Sequence, residues 1–276
     1  MSLTKHGHDK VWQIIRAVVI IASLVLFLFP IYWMLVTAFK TRAQIFALPP
    51  TWIFMPTFAN FKQVFLNSLF PRYALNTLIA ASLSTVLALS LGLPAAYALS
   101  RSKRGDKLLL GVLVVRMIPS VALSVPLFMI FSRLRLVGTY AALPLLYLSF
   151  SLPFVIWIMK AFIEEIPPEI EESALLDGCS RVNVLFKIVL PVIIPGLIVS
   201  AIFCFIWAWN DFILALIFTR AQTKTAVVDL STYLTDQGIW WGQVSAAAAF
   251  IMLPPIIATL FFRRYLVRGL TFGAVK

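Results

Sequence analysis

Of the eleven Asp and Glu residues in this chain, six (Glu164, Glu165, Glu169, Glu171, Glu172 and Asp177) fall between residues 164 and 177. Carboxylates so close together do acid–base or metal chemistry only beside a base, a nucleophile or further ligands, and none adjoins them. The two histidines, His6 and His8, lie next to Asp9, a spacing that can hold a metal ion but more often marks a solvated tail. Cys179 and Cys204, the only cysteines, occupy a polar loop and an apolar run, without the spacing of a disulfide or a metal site. No G-x-x-x-x-G-K-[ST] segment occurs, so the chain lacks the phosphate-cradling loop of an ATPase. The legible chemistry is recognition: no catalytic residue, no metal and no cofactor bound by this chain are expected.

The elements that position these residues follow from composition. The 276 residues are 61% hydrophobic and 12% charged, against roughly a quarter charged in a soluble domain. A buried core cannot account for so large a deficit, so lipid must solvate much of the surface. A helix needs about 20 apolar residues to cross the hydrocarbon core. Five uncharged stretches reach that length, at 17–39, 73–100, 136–159, 188–210 and 237–262, and a sixth, 108–132, is interrupted by Arg116. Only helices or closed barrels satisfy the backbone in lipid, and barrel-type alternation is absent. The expectation is an all-α integral membrane protein with six transmembrane helices over 17–262, a tail at 1–16 and another at 263–276. The first apolar run is too long for a cleavable signal peptide and continues as a span.

The net charge of +12 fits membrane orientation better than nucleic-acid binding, because the basic residues lie between apolar runs. With both termini inside, the inner set is Lys5, Lys10, Arg16, Arg101, Lys103, Arg104, Lys107, Lys160, Arg181, Lys187, Arg263, Arg264, Arg268 and Lys276. The outer set is Lys40, Arg42, Lys62, Arg72, Arg133, Arg135, Arg220 and Lys224, so the split is 14 against 8. Prolines at 94, 119, 126, 144, 153, 191, 195, 254 and 255 fall within spans and are expected to bend or break them. Ser245 and Ala246 to Ala249 would let the last span pack closely.

The inner connection 164–187 is the most informative segment. Pro168 suits a first helical turn, the glutamates after it complement the helix dipole, and Gly178 is a natural stop. Ser180 can cap a second helix running through Phe186 toward Pro191. The reading is a short helix, acidic on one side, whose small residues Ser173, Ala174 and Gly178 leave its backbone open to a groove on a soluble partner.

Glu172-Ser173-Ala174-x-x-Asp177-Gly178, followed by Phe186, Ile188, Leu190-Pro191 and Pro195-Gly196, resembles the EAA loop of binding-protein-dependent ABC importers. Ser173 and Cys179 stand where alanine is usual, and both are small. Asn60-Phe61-x-x-Val64-Phe65 and Trp209-Asn210-Asp211-Phe212 are similar to two further segments of carbohydrate permeases, and residues 264–276 to the ending of the maltose-type inner subunit. The resemblance implies a type I ABC importer permease fold in the bacterial cytoplasmic membrane, with Glu172, Ser173, Ala174, Asp177, Gly178 and Phe186 coupling it to an ATPase. It also implies a second permease as heterodimer partner, two ATPase copies that hold ATP and Mg, and an extracellular or periplasmic binding protein delivering a sugar, with no nucleic acid involved.

Candidates along the substrate pathway are Arg116, the one charge well inside a span, and Trp209, Asn210 and Asp211 at a span end, with Asn76. Arg116 lies about 12 Å along its helix from Leu108 and can donate to hydroxyls, or can snorkel to headgroups. Of the outer loops 40–72 and 219–241, the second is long and polar, and the resemblance implies that it faces the binding protein. An ion-coupled secondary transporter of a small polar solute is the alternative; it would need several ionisable groups at mid-membrane, where Arg116 stands alone. An intramembrane enzyme would need clustered carboxylates or histidines at the interface; outside 164–187 no convincing pair is found, and that loop has no adjacent base, nucleophile or metal-ligand set.

The charge split makes a direct prediction: reporter fusions or cysteine labelling should read cytoplasmic at residues 103, 177 and 270, and external at 55 and 230. An external signal at 177 would contradict the orientation.

Overall fold

A computed structural model describes residues 3–236 and 238–271, with side chains described for 12–265 except Val115 and Gln237. The side chains of His6 and His8, and the ending at 272–276, lie outside the described residues. The helices are α1 (Leu3–Ala38), α2 (Arg42–Ile45), α3 (Ala59–Leu66), α4 (Phe70–Ser100), α5 (Gly105–Met117), α6 (Ser120–Arg133) and α7 (Ala142–Glu164). Then follow α8 (Pro168–Leu176), α9 (Arg181–Asn183), a π-helical turn (Val184–Val189), α10 (Leu190–Asn210), α11 (Ile213–Phe218), α12 (Ala226–Asp229) and α13 (Trp241–Thr271). A short hairpin, β1 (Leu234–Thr235) with β2 (Gly238–Ile239), precedes α13.

Among the described residues, five helical stretches are long and apolar enough to cross a membrane: Trp12–Ala38, Phe70–Ser100, Ala142–Glu164, Arg181–Asn210 and Trp241–Tyr265. The predicted span 108–132 differs, because it is two helices, α5 and α6, with extended backbone (ψ 125°) at Ile118 between them. Pro119 is the cause: its ring disfavours helical geometry at the residue before it, and it has no N–H to continue the ladder. Arg116 interrupts the apolar run, yet the helix continues through it. By contrast Pro94, Pro126, Pro153, Pro195, Pro254 and Pro255 sit inside helices that carry on past them. The segment 3–16, expected as a loose tail, is the helical start of α1.

Contacts divide the chain into two compact units, Met1–Ser68 with Tyr233–Phe250, and Leu69–Thr232 with Ile251–Lys276. In the first unit, residues 12–32 of α1 are exposed throughout, an apolar surface that only lipid or another subunit can cover. The end of α1 is fastened by side chains that meet its orphan carbonyls. Asn60 Nδ2 donates to Ala38 O and Lys40 O, both at 2.9 Å. Phe61 lies 4.9 Å from the Phe39 ring, Phe65 lies 5.2 Å from Phe250, and Val64 is fully buried. Lys40, expected as a loop cation, is buried: its Nζ donates to Thr51 O at 2.7 Å and lies 4.6 Å from the Trp33 ring centre.

In the second unit α4 and α7 pack most extensively. Ala80, Ser84, Ala88, Gly92 and Ala96 recur every four residues along α4 and are all buried. This small-residue stripe lets α7 approach closely, and a Cβ at Gly92 would come within 2.6 Å of Val155 Cγ1. The core continues through Met159, Ile163 and Ile166 to Ala174, Val184 and Val189. On α10, Gly196 faces Phe162 of α7 so closely that a Cβ would meet its ring at 2.6 Å.

Overpacking of this kind costs about 1–3 kcal/mol. Gly196→Val should therefore lower the thermal stability of the purified protein, whereas Gly111→Ala, where a Cβ meets nothing within 4 Å, should not lower it. Equal melting temperatures for both would contradict the close α7–α10 contact.

Candidate functional site

The connection from α7 to α10 folds as its sequence dictates. Pro168 opens α8, whose first turn carries Glu169 and Glu171. The helix stops by a reciprocal pair of backbone bonds, Gly178 N–H to Leu175 O at 3.1 Å and Cys179 N–H to Ala174 O at 3.0 Å. That arrangement needs a left-handed residue just past the helix, and Gly178 has φ +87°. Ser180 then caps the next turn, its side chain accepting from Asn183 N–H at 3.3 Å.

The nine residues of α8 present two faces. Positions three apart share a side of a helix, and Glu171 and Ala174, 5% and 9% exposed, both turn into the core. Glu172, Ser173, Leu176, Asp177 and Gly178 are exposed, and Leu176 is 89% exposed. Val182 and Phe186 are exposed beyond the turn. This corrects the expectation for Ala174: its small side chain accommodates the chain's own core beside Val184 and Ile163 and is not part of an open surface. Beside α8, Glu165 borders an apolar cavity of about 230 Å³ with Phe162, Ile170 and Ile188. Burial pushes its carboxyl above the usual range.

Under α8 lies a cluster that sequence reasoning missed. Glu171 Oε1 accepts from Arg101 Nε at 3.1 Å and forms an ion pair with its Nη2, and Oε2 accepts from Tyr97 Oη–H at 2.8 Å. Arg101 Nη2 also donates to Ile163 O and Ile166 O, each at 3.3 Å. Nearby, the buried Lys160 pairs with Asp106 at 2.7 Å and with Glu164. The available signal was positional: Arg101 directly follows a 31-residue apolar helix, and Glu171 falls in register with Ala174.

The substrate-pathway candidates do not converge. Asn76 is buried and uses its amide on the loop before α12, donating to Gln222 O at 2.9 Å and Lys224 O at 3.0 Å. Trp209, 2% exposed, donates from Nε1 to Ile251 O at 2.9 Å. The helix partner of that carbonyl would be the N–H of residue 255, which is proline, so the indole fills a vacancy that Pro255 creates. Asp211 Oδ2 accepts from Tyr147 Oη–H at 3.1 Å and from Ala215 N–H at 3.0 Å, joining α7 to the start of α11. Asn210 is exposed and donates to Ile206 O in its own helix at 2.9 Å. Arg116 is exposed in the last turn of α5, 4.4 Å from the Phe154 ring centre. It borders an open cavity of about 370 Å³ with Leu113, Met117, Phe154 and Trp157. At the end of α12, burial pushes the Asp229 carboxyl above the usual range, an effect that Lys224 Nζ at 3.9 Å partly offsets. Among the described residues, no group of three or more His, Cys, Asp or Glu is placed to hold a metal.

The family model described as "Binding-protein-dependent transport system inner membrane component" matches residues 88–272. The probable ABC transporter permease protein y4oR of Sinorhizobium fredii is 39% identical over 251 residues, covering 91% of each chain. The diacetylchitobiose uptake system permease protein DasC of Streptomyces coelicolor is 34% identical, covering 97% of each chain. Among solved structures, a bacterial ABC transporter involved in the import of the acidic polysaccharide alginate superposes with a TM-score of 0.78 at 21% identity. The match covers 94% of this chain and 97% of that one, and the shared feature is the fold.

Proposed function

The chain belongs to the family of inner-membrane components of binding-protein-dependent transport systems, and from that premise we propose that it is the permease subunit of an ABC importer for a sugar or sugar derivative. The diacetylchitobiose permease among its relatives supports the substrate class. The fold shared with the alginate importer supports the architecture. The chain binds no nucleotide; ATP and Mg are held by two copies of a separate ATPase. A binding protein outside the membrane delivers the sugar, and a second, different permease completes the pathway. The exposed apolar surface of α1 is suited to that partner and to lipid. Both termini and the α7–α10 connection face the cytoplasm, in keeping with the basic residues.

One observation carries the coupling role: α8 has one face sealed in the core and the other open, ending on a left-handed glycine. A cleft on the ATPase can take the open face, with Glu172 meeting a basic group and Leu176 and Phe186 making apolar contacts. Ser173 keeps the approach close, and the Asp177–Gly178 turn fixes the exit of the chain. Closing of the ATPase pair around ATP then pushes α8 and, through the core below it, the membrane helices, so that the pathway opens alternately to either side. Of the pathway candidates, Arg116 and Asn210 remain exposed to a sugar, whereas Trp209, Asp211 and Asn76 act by holding the helices that surround it.

The test concerns Gly178 and Glu172. Left-handed geometry costs a side-chain-bearing residue about 1–2 kcal/mol, and Asn tolerates it better than Val. A charge-assisted contact from Glu172 is worth about 1.5–3 kcal/mol if desolvated. In the purified complex, Gly178→Val should abolish binding-protein-stimulated ATP hydrolysis or release the ATPase, Gly178→Asn should retain much of the activity, and Glu172→Ala should weaken it. Full stimulation and full uptake in both Gly178→Val and Glu172→Ala would show that α8 is not the coupling element.

A further inference from the structure

A helix of nine residues between two turns transmits a push only if it is fixed to what must move. The apolar contact at Ala174 resists sinking of α8 into the core but does little against rocking or sliding. The fixed point is the carboxylate of Glu171, buried under the helix with both oxygens engaged from the end of α4: Oε1 by the guanidinium of Arg101, just past the helix, Oε2 by the Tyr97 hydroxyl. The same guanidinium donates to Ile163 O in the last turn of α7 and to Ile166 O in the link to α8. One side chain therefore gathers the end of α4, the end of α7, the incoming link and α8. A second pair, Lys160 with Asp106, ties the start of α5 to α7, and α5 leads to the break at Ile118.

We propose that Arg101 and Glu171 are positioning residues that clamp the coupling helix to the cytoplasmic ends of α4 and α7, so that displacement of α8 moves those helices and not the link alone. The assignment rests on α8 being the ATPase-docking helix. Charge and depth make the clamp close to all-or-none. Removing Arg101 leaves the Glu171 carboxylate buried without a counterpart, which is far less favourable than losing an exposed pair, whereas the Arg101 side chain is partly exposed. Arg101 is also the part of the cluster that reaches the carbonyls of Ile163 in α7 and Ile166 in the link, so a lysine with a single ammonium replaces it poorly. By linkage, a clamp that carries motion from the ATPase into the membrane also carries the signal of the docked binding protein back to the ATPase.

The experiment uses the whole complex in nanodiscs, with the binding protein as purified from the native cells and Mg-ATP as the probe. The readout is the ratio of stimulated to unstimulated hydrolysis, together with the amount of ATPase subunit retained. Arg101→Gln and Glu171→Gln should each keep the ATPase bound while the ratio falls about 10-fold or more. The double variant should fall no further than either single, because the two residues act as one unit. Arg101→Lys should fall between wild type and Arg101→Gln. Should Arg101→Gln fail to assemble, Tyr97→Phe leaves the ion pair in place and should lower the ratio about 2-fold or more. An undiminished ratio in the singles, or in Tyr97→Phe, overturns the clamp, as does a double variant whose loss is the product of the two. Gly178→Val in the same preparation separates the two ideas. Loss of stimulation there with none in Arg101→Gln removes the clamp alone, and full stimulation in both removes the docking role of α8 with it.

Discussion

Backbone polar groups in or near hydrocarbon have no water to turn to, and the placement of polar side chains in this chain follows from that constraint. Trp209 serves the Ile251 carbonyl that Pro255 cannot serve. Asn60 serves two carbonyls at and just past the end of α1, Asn76 serves two in the loop before α12, and Arg101 serves one in the last turn of α7 and one in the link to α8. Even Lys40 turns its ammonium to Thr51 O between aromatic rings. A polar residue near an apolar span is therefore first of all a candidate for satisfying the backbone. A buried, unpaired carbonyl is costly enough to decide where such a residue goes.

The same constraint explains the construction of the connection from α7 to α10. Leaving the membrane, the chain must end α7, turn, form α8 and re-enter as α10, and each helix end exposes carbonyls or N–H groups. Arg101 closes the end of α7, Gly178 and Cys179 close α8 through their own backbone, and Ser180 opens the next helix. The outer face of α8, with a carboxylate, a small residue and Leu176, stays exposed. A surface of that kind, on a chain with no nucleotide-binding loop, is suited to accept work done by another subunit.

Much of this was legible in the sequence. Apolar runs located the long helices, because lipid demands length and composition whatever the packing. Pro168, Gly178 and Ser180 located the start and stop of α8, because caps depend on local geometry. Less legible was the division of the third run into α5 and α6. Arg116 drew attention to the middle of the run, while the break came from Pro119, whose effect on Ile118 is steric and local. The partners of Trp209, Asp211 and Asn76 were beyond reach. Those bonds join residues 42, 64, 146 and 148 positions apart, and near aromatic rings the same side chains resemble a sugar site. Adjacent Glu171 and Glu172 could not be told apart by type; one is buried and the other exposed because of a rotation of α8 that the core sets through Ala174.

The central claim is that the open face of α8 meets the ATPase. It is tested most directly by placing a photo-cross-linking amino acid at Leu176, on that face, and at Ala174, on the sealed one, in the assembled complex. The account predicts a cross-link to the ATPase subunit from residue 176 and none from residue 174. Absence of the cross-link at 176 in a complex that retains its ATPase, or equal cross-linking from both positions, would contradict it.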